Sequence, residues 1–226
     1  MSLLLNIDTA SEKAHVSFAE NGELIGYLVN ESQKDHAGFL QAAIAELVKT
    51  TGVLLTDIDA VAVTAGPGSY TGLRVGMASA KGLCYTLGKP LVTPGTLDVL
   101  TASALQVFQH PGPSGLYCPM IDARRMEVFT AMLKPDLTFV QEPLALILDE
   151  RSFEKELNQN NILFFGNGSG KWERICKHEN ALFRQVILLP EALSKLAFGM
   201  FSEQKITELA YSEPFYLKEF QLFTPK

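Results

Sequence analysis

Asp8 and Asp122 stand in matching settings. Each follows an isoleucine at the end of an apolar run, in "LLLNIDT" and "LYCPMID", and each precedes a turn into a second apolar run. A duplicated α/β ATPase would place carboxylates at such points, facing a bound metal ion and phosphates. The residues that follow oppose that use. "DTAS" has no glycine to let a phosphate approach the backbone, and "DARR" is bulkier still. Two glycine-rich stretches are the other candidates for holding phosphate. In "TAGPGSYTGLRVG", Thr64 to Gly76, a P-loop would need glycine where Thr71 stands and a lysine directly after it. A dinucleotide fingerprint fits Gly66 and Gly68, then meets Thr71 again, with no acidic residue about 20 positions further at a strand end. In "GNGSGK", 166–171, Phe165 occupies the place of the first P-loop glycine. That stretch stays open to two readings: a strand-to-helix turn that admits a nucleotide, or a turn whose glycines serve geometry alone.

Metal and nucleophile chemistry find less support. His15, His36, His110 and His178 lie in separate segments without HxxxH or HExxH spacing, which excludes a helical zinc pair. No GxSxG elbow is present. Cys84, Cys118 and Cys176 are far apart and in no CxxC pair, so they read as reduced packing residues. No catalytic residue and no metal ligand are assigned.

The elements that must position these residues follow from periodicity. "LLLNIDT" (3–9), "AHVSFAE" (14–20) and "ELIGYLV" (23–29) read as a β-meander, the last two joined by Asn21-Gly22, a strong hairpin signal. Leu40, Ala43, Ile44, Leu47 and Val48 then fall at helical spacing after a capping Asp35. "IDAVAVT" (58–64) is apolar throughout, as a buried parallel strand would be; a helix over 70–87, a short strand at 90–93 and a helix after Thr96 follow. "HPGPSG" (110–115) reads as a linker. Beyond it the order starts again, with a hairpin (116–122 and 126–133), a strand near 137–140, a helix near 150–158 and a strand at 161–166. A helix near Ser169, a strand at 184–189 and a helix from Pro190 complete it. Two similar α/β lobes, 1–110 and 111–226, account for this repetition most economically.

Gly72, Gly76 and Ala80 recur every four residues, leaving one side of the 70–87 helix nearly bare. Each interior glycine costs a helix roughly 0.5–1 kcal/mol, so the bare face should gain from close approach. The visitor is either the chain's own 35–49 helix or sheet, or a second subunit.

The chain has 226 residues, 47% hydrophobic, with a net charge of −6. That acidity opposes binding a polyanion directly, so nucleic acid would be held by another chain. No apolar run nears the roughly 20 residues of a membrane span, and Asp8 comes too early for a signal peptide; a cytoplasmic protein without membrane contact is expected.

From "LLLNIDTAS" through "DHAGFLQAAIAELV" and "DIDAVAVTAGPGSYTGLRVGMASAKGLCYTLGKPLV" to "MIDARRMEVF" and "EPFYLK", the chain resembles the TsaB (YeaZ) family, partner subunits in bacterial tRNA threonylcarbamoyladenosine synthesis. The resemblance implies a duplicated actin-like ATPase (ribonuclease H-like) fold, related to actin, Hsp70 and sugar kinases, with a β-meander and alternating helices and strands in each lobe. It implies a non-catalytic activator of the transferase TsaD, working with the ATPase TsaE and touching tRNA only through the complex. The metal-binding histidines of TsaD would fall near Thr96 and Leu100, neither able to replace them. It further implies pairing with TsaD, or with a second copy in its absence, through His36, Leu40, Ile44, Leu47, Tyr70, Gly72, Leu73, Val75, Gly76 and Ala80. On that reading, leucine at Gly76 would abolish pairing and leave the monomer folded. The chain would need no cofactor of its own, with room for a weak ATP or ADP site at Asp8, Thr9, Ser11, Gly166 and Gly168. The rival readings are a stand-alone ATPase or small-molecule kinase of the same fold, and a peptidase, against which the absent metal pair and nucleophile motif argue.

Overall fold

A computed structural model describes residues 1–30, 36–108 and 115–218. The expected Asp35 cap, and all of the expected linker but Gly115, lie outside the described residues. Among the described residues ten strands form two five-stranded sheets, β3-β2-β1-β4-β5 and β10-β9-β6-β7-β8. The first comprises β1 (Leu3–Asp8), β2 (Ala14–Glu20), β3 (Glu23–Asn30), β4 (Ala60–Val63) and β5 (Leu91–Val92). The second comprises β6 (Leu116–Asp122), β7 (Glu127–Leu133), β8 (Phe139–Ile147), β9 (Ile162–Phe165) and β10 (Ala181–Arg184). In each sheet an antiparallel meander continues into parallel strands, β1 beside β4 and β6 beside β9. The short strands β4 and β9 are buried along their whole length, as their unbroken apolar sequences require.

One strand lies elsewhere than periodicity indicates. "RQVILL" is apolar, yet the paired segment is Ala181–Arg184. Its partner β9 stops at Phe165, where Gly166 turns at φ 92. Residues 185–189 therefore have no strand to pair with, although Val186 and Leu188 still pack into the core.

Six helices among the described residues cover the sheets: α1 (His36–Thr51), α2 (Tyr70–Leu87), α3 (Thr96–Val107), α4 (Glu154–Leu157), α5 (Ser169–Glu173) and α6 (Pro190–Ser202). Helices α1 and α2 bury Leu40, Ile44, Leu47, Met77 and Ala80 against Leu5, Ile7, Val16, Phe18, Val61 and Val63. Helices α4 and α5 bury Leu157 and Trp172 on one face of the second sheet, within a cluster of Phe153, Phe164, Trp172 and Phe183 rings 4.6 to 5.8 Å apart. The two remaining helices cross over. Helix α3 follows the strands of the first sheet but packs Leu97, Leu100 and Ala104 on the second, against Tyr117, Leu133 and Phe165. Helix α6 follows the second sheet but lays Ala197, Met200 and Phe201 on the first, over Leu4, Ala60, Ala62 and Val92. The two touch each other through Val99, Ala192 and Leu193, so the layers run from sheet through α6 and α3 to sheet. Each fully buried Val, Leu, Ile, Phe or Met side chain among these contributes roughly 1.5–3 kcal/mol on burial, and each alanine about 1 or less.

Candidate functional site

The turns between β1 and β2 and between β6 and β7 face one another across a cleft of about 980 Å3. Ala10, Ser11 and Glu12 line one side, and Asp122, Ala123, Arg124 and Asn167 the other. This is where the sequence leaves room for a weak nucleotide site, and of the residues named for it the geometry brings only part to the cleft. Ser11 lines the cleft, with its hydroxyl donating to the Lys13 carbonyl at 3.1 Å. Asp8 and Thr9 are fully buried and point away into the chain. Asp8 Oδ1 accepts from the Thr64 hydroxyl at 2.6 Å and from the Ala10 amide at 3.0 Å, while Oδ2 lies 3.5 Å from His15 Nδ1. The Thr9 hydroxyl donates to the Gly72 carbonyl at 2.7 Å. Gly166 and Gly168 are buried, and a Cβ on either would strike β6: Met120 O at 2.5 Å for Gly166, the Ile121 carbonyl carbon at 3.0 Å for Gly168. Their glycine character serves the approach of the β9 turn to β6.

Asp122 is engaged as well. Its carboxylate accepts from Lys171 Nζ at 2.6 Å and from the Arg124 amide, and the Asn167 side chain accepts from its own amide at 2.9 Å. Beneath the first turn a buried polar stripe continues: Asn6 Nδ2 donates to Ser17 Oγ at 3.3 Å and to Ser194 Oγ at 3.1 Å. Burial holds His15 below the usual imidazole pKa, with Asp8 opposing, so it sits neutral in the core. Burial also pushes Cys84 up to about 11 and Cys118 up to about 12. Both stay thiols at neutral pH, as packing residues should. Among the described residues no group of three or more histidine, cysteine or acidic side chains could hold a metal ion.

The expected partner surface is rearranged by the fold. Leu40, Ile44, Leu47, Leu73 and Ala80 belong to the lobe's own core. Gly72 and Gly76 face inward too: a Cβ on Gly72 would lie 2.0 Å from Thr9 O, and one on Gly76 would lie 2.3 Å from Thr9 Oγ1. The bare side of α2 is thus filled by β1 and its turn, and leucine at Gly76 would break the lobe instead of leaving a folded monomer. His36 is half-buried, its Nε2 3.2 Å from Ser11 O, and Val75 is half-buried. Of the expected set, Tyr70 alone counts as exposed, at 39%. The open surface of these helices is a different stripe, Gly38, Gln41, Ala42 and Ala45 on α1 beside Ala78, Gly82 and Tyr85 on α2. Gln41 spans the two by donating to Ser79 Oγ at 3.3 Å. Gly82 has no atom within 4 Å of a would-be Cβ.

Sequence reasoning did not foresee that the chain's own tail enters the cleft. Phe215, Tyr216, Leu217 and Lys218 line it from above the β4–α2 loop. "EPFYLK", with two aromatic residues just after a proline, was the available signal.

Two sheets of matching topology, wrapped by helices around a central cleft, define a duplicated actin-like α/β protein. Comparison with solved structures agrees. A crystal structure from Pseudomonas aeruginosa, described as similar to peptidase YeaZ, superposes with a TM-score of 0.83 at 24% identity, covering 96% of this chain and 100% of that one. A polyphosphate/ATP-glucomannokinase from Arthrobacter sp. strain KM superposes with a TM-score of 0.51 at 12% identity, over 90% of this chain and 100% of that one. At these identities both speak to the fold alone. The chain belongs to the family whose model is described as TsaD: tRNA N6-adenosine threonylcarbamoyltransferase, which matches residues 15–203. The tRNA threonylcarbamoyladenosine biosynthesis protein TsaB of Escherichia coli (strain K12) is 28% identical to it over 222 residues, 95% of this chain and 94% of that protein.

Proposed function

We propose that this chain is the non-catalytic partner of a TsaD-type transferase, holding it in its active form while a TsaE-type ATPase drives turnover. The reaction is transfer of a threonylcarbamoyl group to the N6 amine of the adenosine beside the anticodon, in tRNAs reading codons that begin with A. One observation carries the non-catalytic reading: of the two carboxylates that an actin-like ATPase would aim at metal and phosphate, Asp8 is buried out of the cleft with Oδ1 held by Thr64 and its own turn, and Asp122 is paired through Oδ1 with Lys171. Thr96 and Leu100, near which the resemblance would put the transferase's metal-binding histidines, are buried in helix packing. Likeness to TsaB over nearly the whole length supports the partner role. The net charge of −6 suits a subunit that leaves tRNA to the complex.

The docking face in this reading is the outward stripe of α1 and α2, where Ala42, Ala45, Ala78 and Gly82 would let a partner helix come close. The same face would pair two copies when the transferase is absent. Depletion of the protein from its host, followed by mass spectrometry of tRNA nucleosides, tests the pathway: threonylcarbamoyladenosine should disappear while other modified nucleosides persist. Unchanged levels would overturn the reading and favour a stand-alone ATPase or kinase, detectable as nucleotide turnover by the purified chain.

A further inference from the structure

We propose that the C-terminal segment 207–218 is a strap that holds the interlobe cleft closed, latched at its end by Lys218 on Glu127. This inference stands independently of the partner reading. The segment leaves α6 and is tied to the first lobe in order along its length. The Thr207 amide donates to Leu91 O at 2.9 Å, in an antiparallel bridge against the edge strand β5, and its hydroxyl pairs with that of Thr93 at 2.6 Å. Lys81 Nζ, reaching from α2, donates to the carbonyls of Ala210 and Ser212 at 3.2 and 2.9 Å. The Phe215 amide donates to Ala65 O at 2.7 Å, and Phe215 O lies 2.5 Å from where a Cβ on Gly66 would be. Gly66, at φ 118, is therefore glycine on two counts, its own conformation and the passage of the strap. Tyr216 then rests on Tyr70 with ring centroids 5.3 Å apart, beside Arg74, whose guanidinium stacks over Tyr70.

After these anchors on the first lobe the segment crosses to the second. Lys218 Nζ lies 2.6 Å from each Glu127 oxygen. Glu127 begins β7, just after the turn that forms the far wall of the cleft. Away from the strap, the lobes are joined by the packing of α3 on α6. A helical joint between the lobes together with, among the described residues, an ion pair from the strap to the far wall of the cleft is the arrangement of a latch. Lys218 is half-exposed, so the pair is weak and its loss shifts an equilibrium without unfolding either lobe.

The test is a pair of spin labels, one per lobe, at Glu46→Cys and Asp136→Cys, both exposed, in a Cys176→Ser background, read by pulsed dipolar spectroscopy. Lys218→Glu or Glu127→Lys should raise the fraction of longer interlobe distances by about two- to five-fold, the equilibrium weight of one partly exposed ion pair. The double reversal K218E/E127K should restore the parent distribution. Tyr216→Ala, which removes an anchor and keeps both charges, should lengthen the distances as well. Distributions that ignore the single reversals, or that the double reversal fails to restore, would overturn the latch.

Discussion

Helix α2 carries two glycines whose replacement by alanine should change stability in opposite directions. At Gly72 the new Cβ would stand 2.0 Å from Thr9 O, well inside van der Waals contact, and the obstacle is backbone. The helix would have to withdraw from the β1 turn by more than an ångström, disturbing the buried bond from the Thr9 hydroxyl to Gly72 O. Overpacking costs roughly 1–3 kcal/mol and the weakened bond about 1, against a propensity gain for alanine of about 1. The net loss is about 2 kcal/mol, a fall in Tm of about 4–8 °C for a chain of this size. At Gly82 a Cβ meets nothing within 4 Å. Only the propensity term remains there, and Gly82→Ala should raise Tm by about 1–4 °C. Thermal unfolding followed by far-ultraviolet circular dichroism decides both. If Gly72→Ala melts at or above the parent temperature, or Gly82→Ala melts below it, the assignment of inner and outer faces on α2 is wrong.

On the proposed docking reading, Gly82→Leu should reduce the mass of a complex with the transferase, or of a homodimer, to that of separate chains on light scattering while the melting curve stays within about 2 °C of that of Gly82→Ala. Asp8→Asn keeps an oxygen for Thr64 and the Ala10 amide, so tRNA threonylcarbamoylation by the assembled complex should stay within about two-fold of the parent; a loss of a hundredfold or more would show that the carboxylate does chemistry. Asp98, at the first turn of α3, is pushed up to about 6 by burial, with Glu142 adding to the shift. Its folded value lies above the unfolded one, so its contribution is fully present below pH 4 and is lost as pH rises through 6. Asp98→Asn should therefore raise stability at pH 8, by an amount on the order of 2 kcal/mol, and change little at pH 4, as read by urea unfolding at the two values.

The elements of this fold were legible where the residue pattern and the burial pattern coincide. β4 is buried on both faces and spelled AVAV, and the ends of α2 carry their own signals, a Ser69 hydroxyl accepting from the Gly72 amide and a left-handed Gly88 at the C-terminus. The site was less legible because one residue pattern serves two physical ends. A row of small residues marks close approach but not the identity of what approaches, and at Gly72 and Gly76 it is Thr9 of the same chain. A carboxylate after a strand likewise marks a turn whether it faces outward to a ligand or, like Asp8, inward to Thr64 and His15. The strap was invisible for a third reason: its contacts with β5 and the β4–α2 loop span more than a hundred residues, and no periodicity reports contacts at that range.

The crossing of α3 and α6 has a consequence for synthesis on the ribosome. The face of the first sheet formed by Leu4, Ala60, Ala62 and Val92 is covered by Ala197, Met200 and Phe201, so it stays bare until residues near 200 have been made. At a translation rate of about 5–20 residues per second, an uncovered apolar surface persists for several seconds after the last strand of that sheet appears. Helix α3, made early, meanwhile waits for strands not yet translated. Neither half can complete its core alone, and expressed separately each should aggregate or recruit a chaperone, whereas mixing the two as they are made should rescue both.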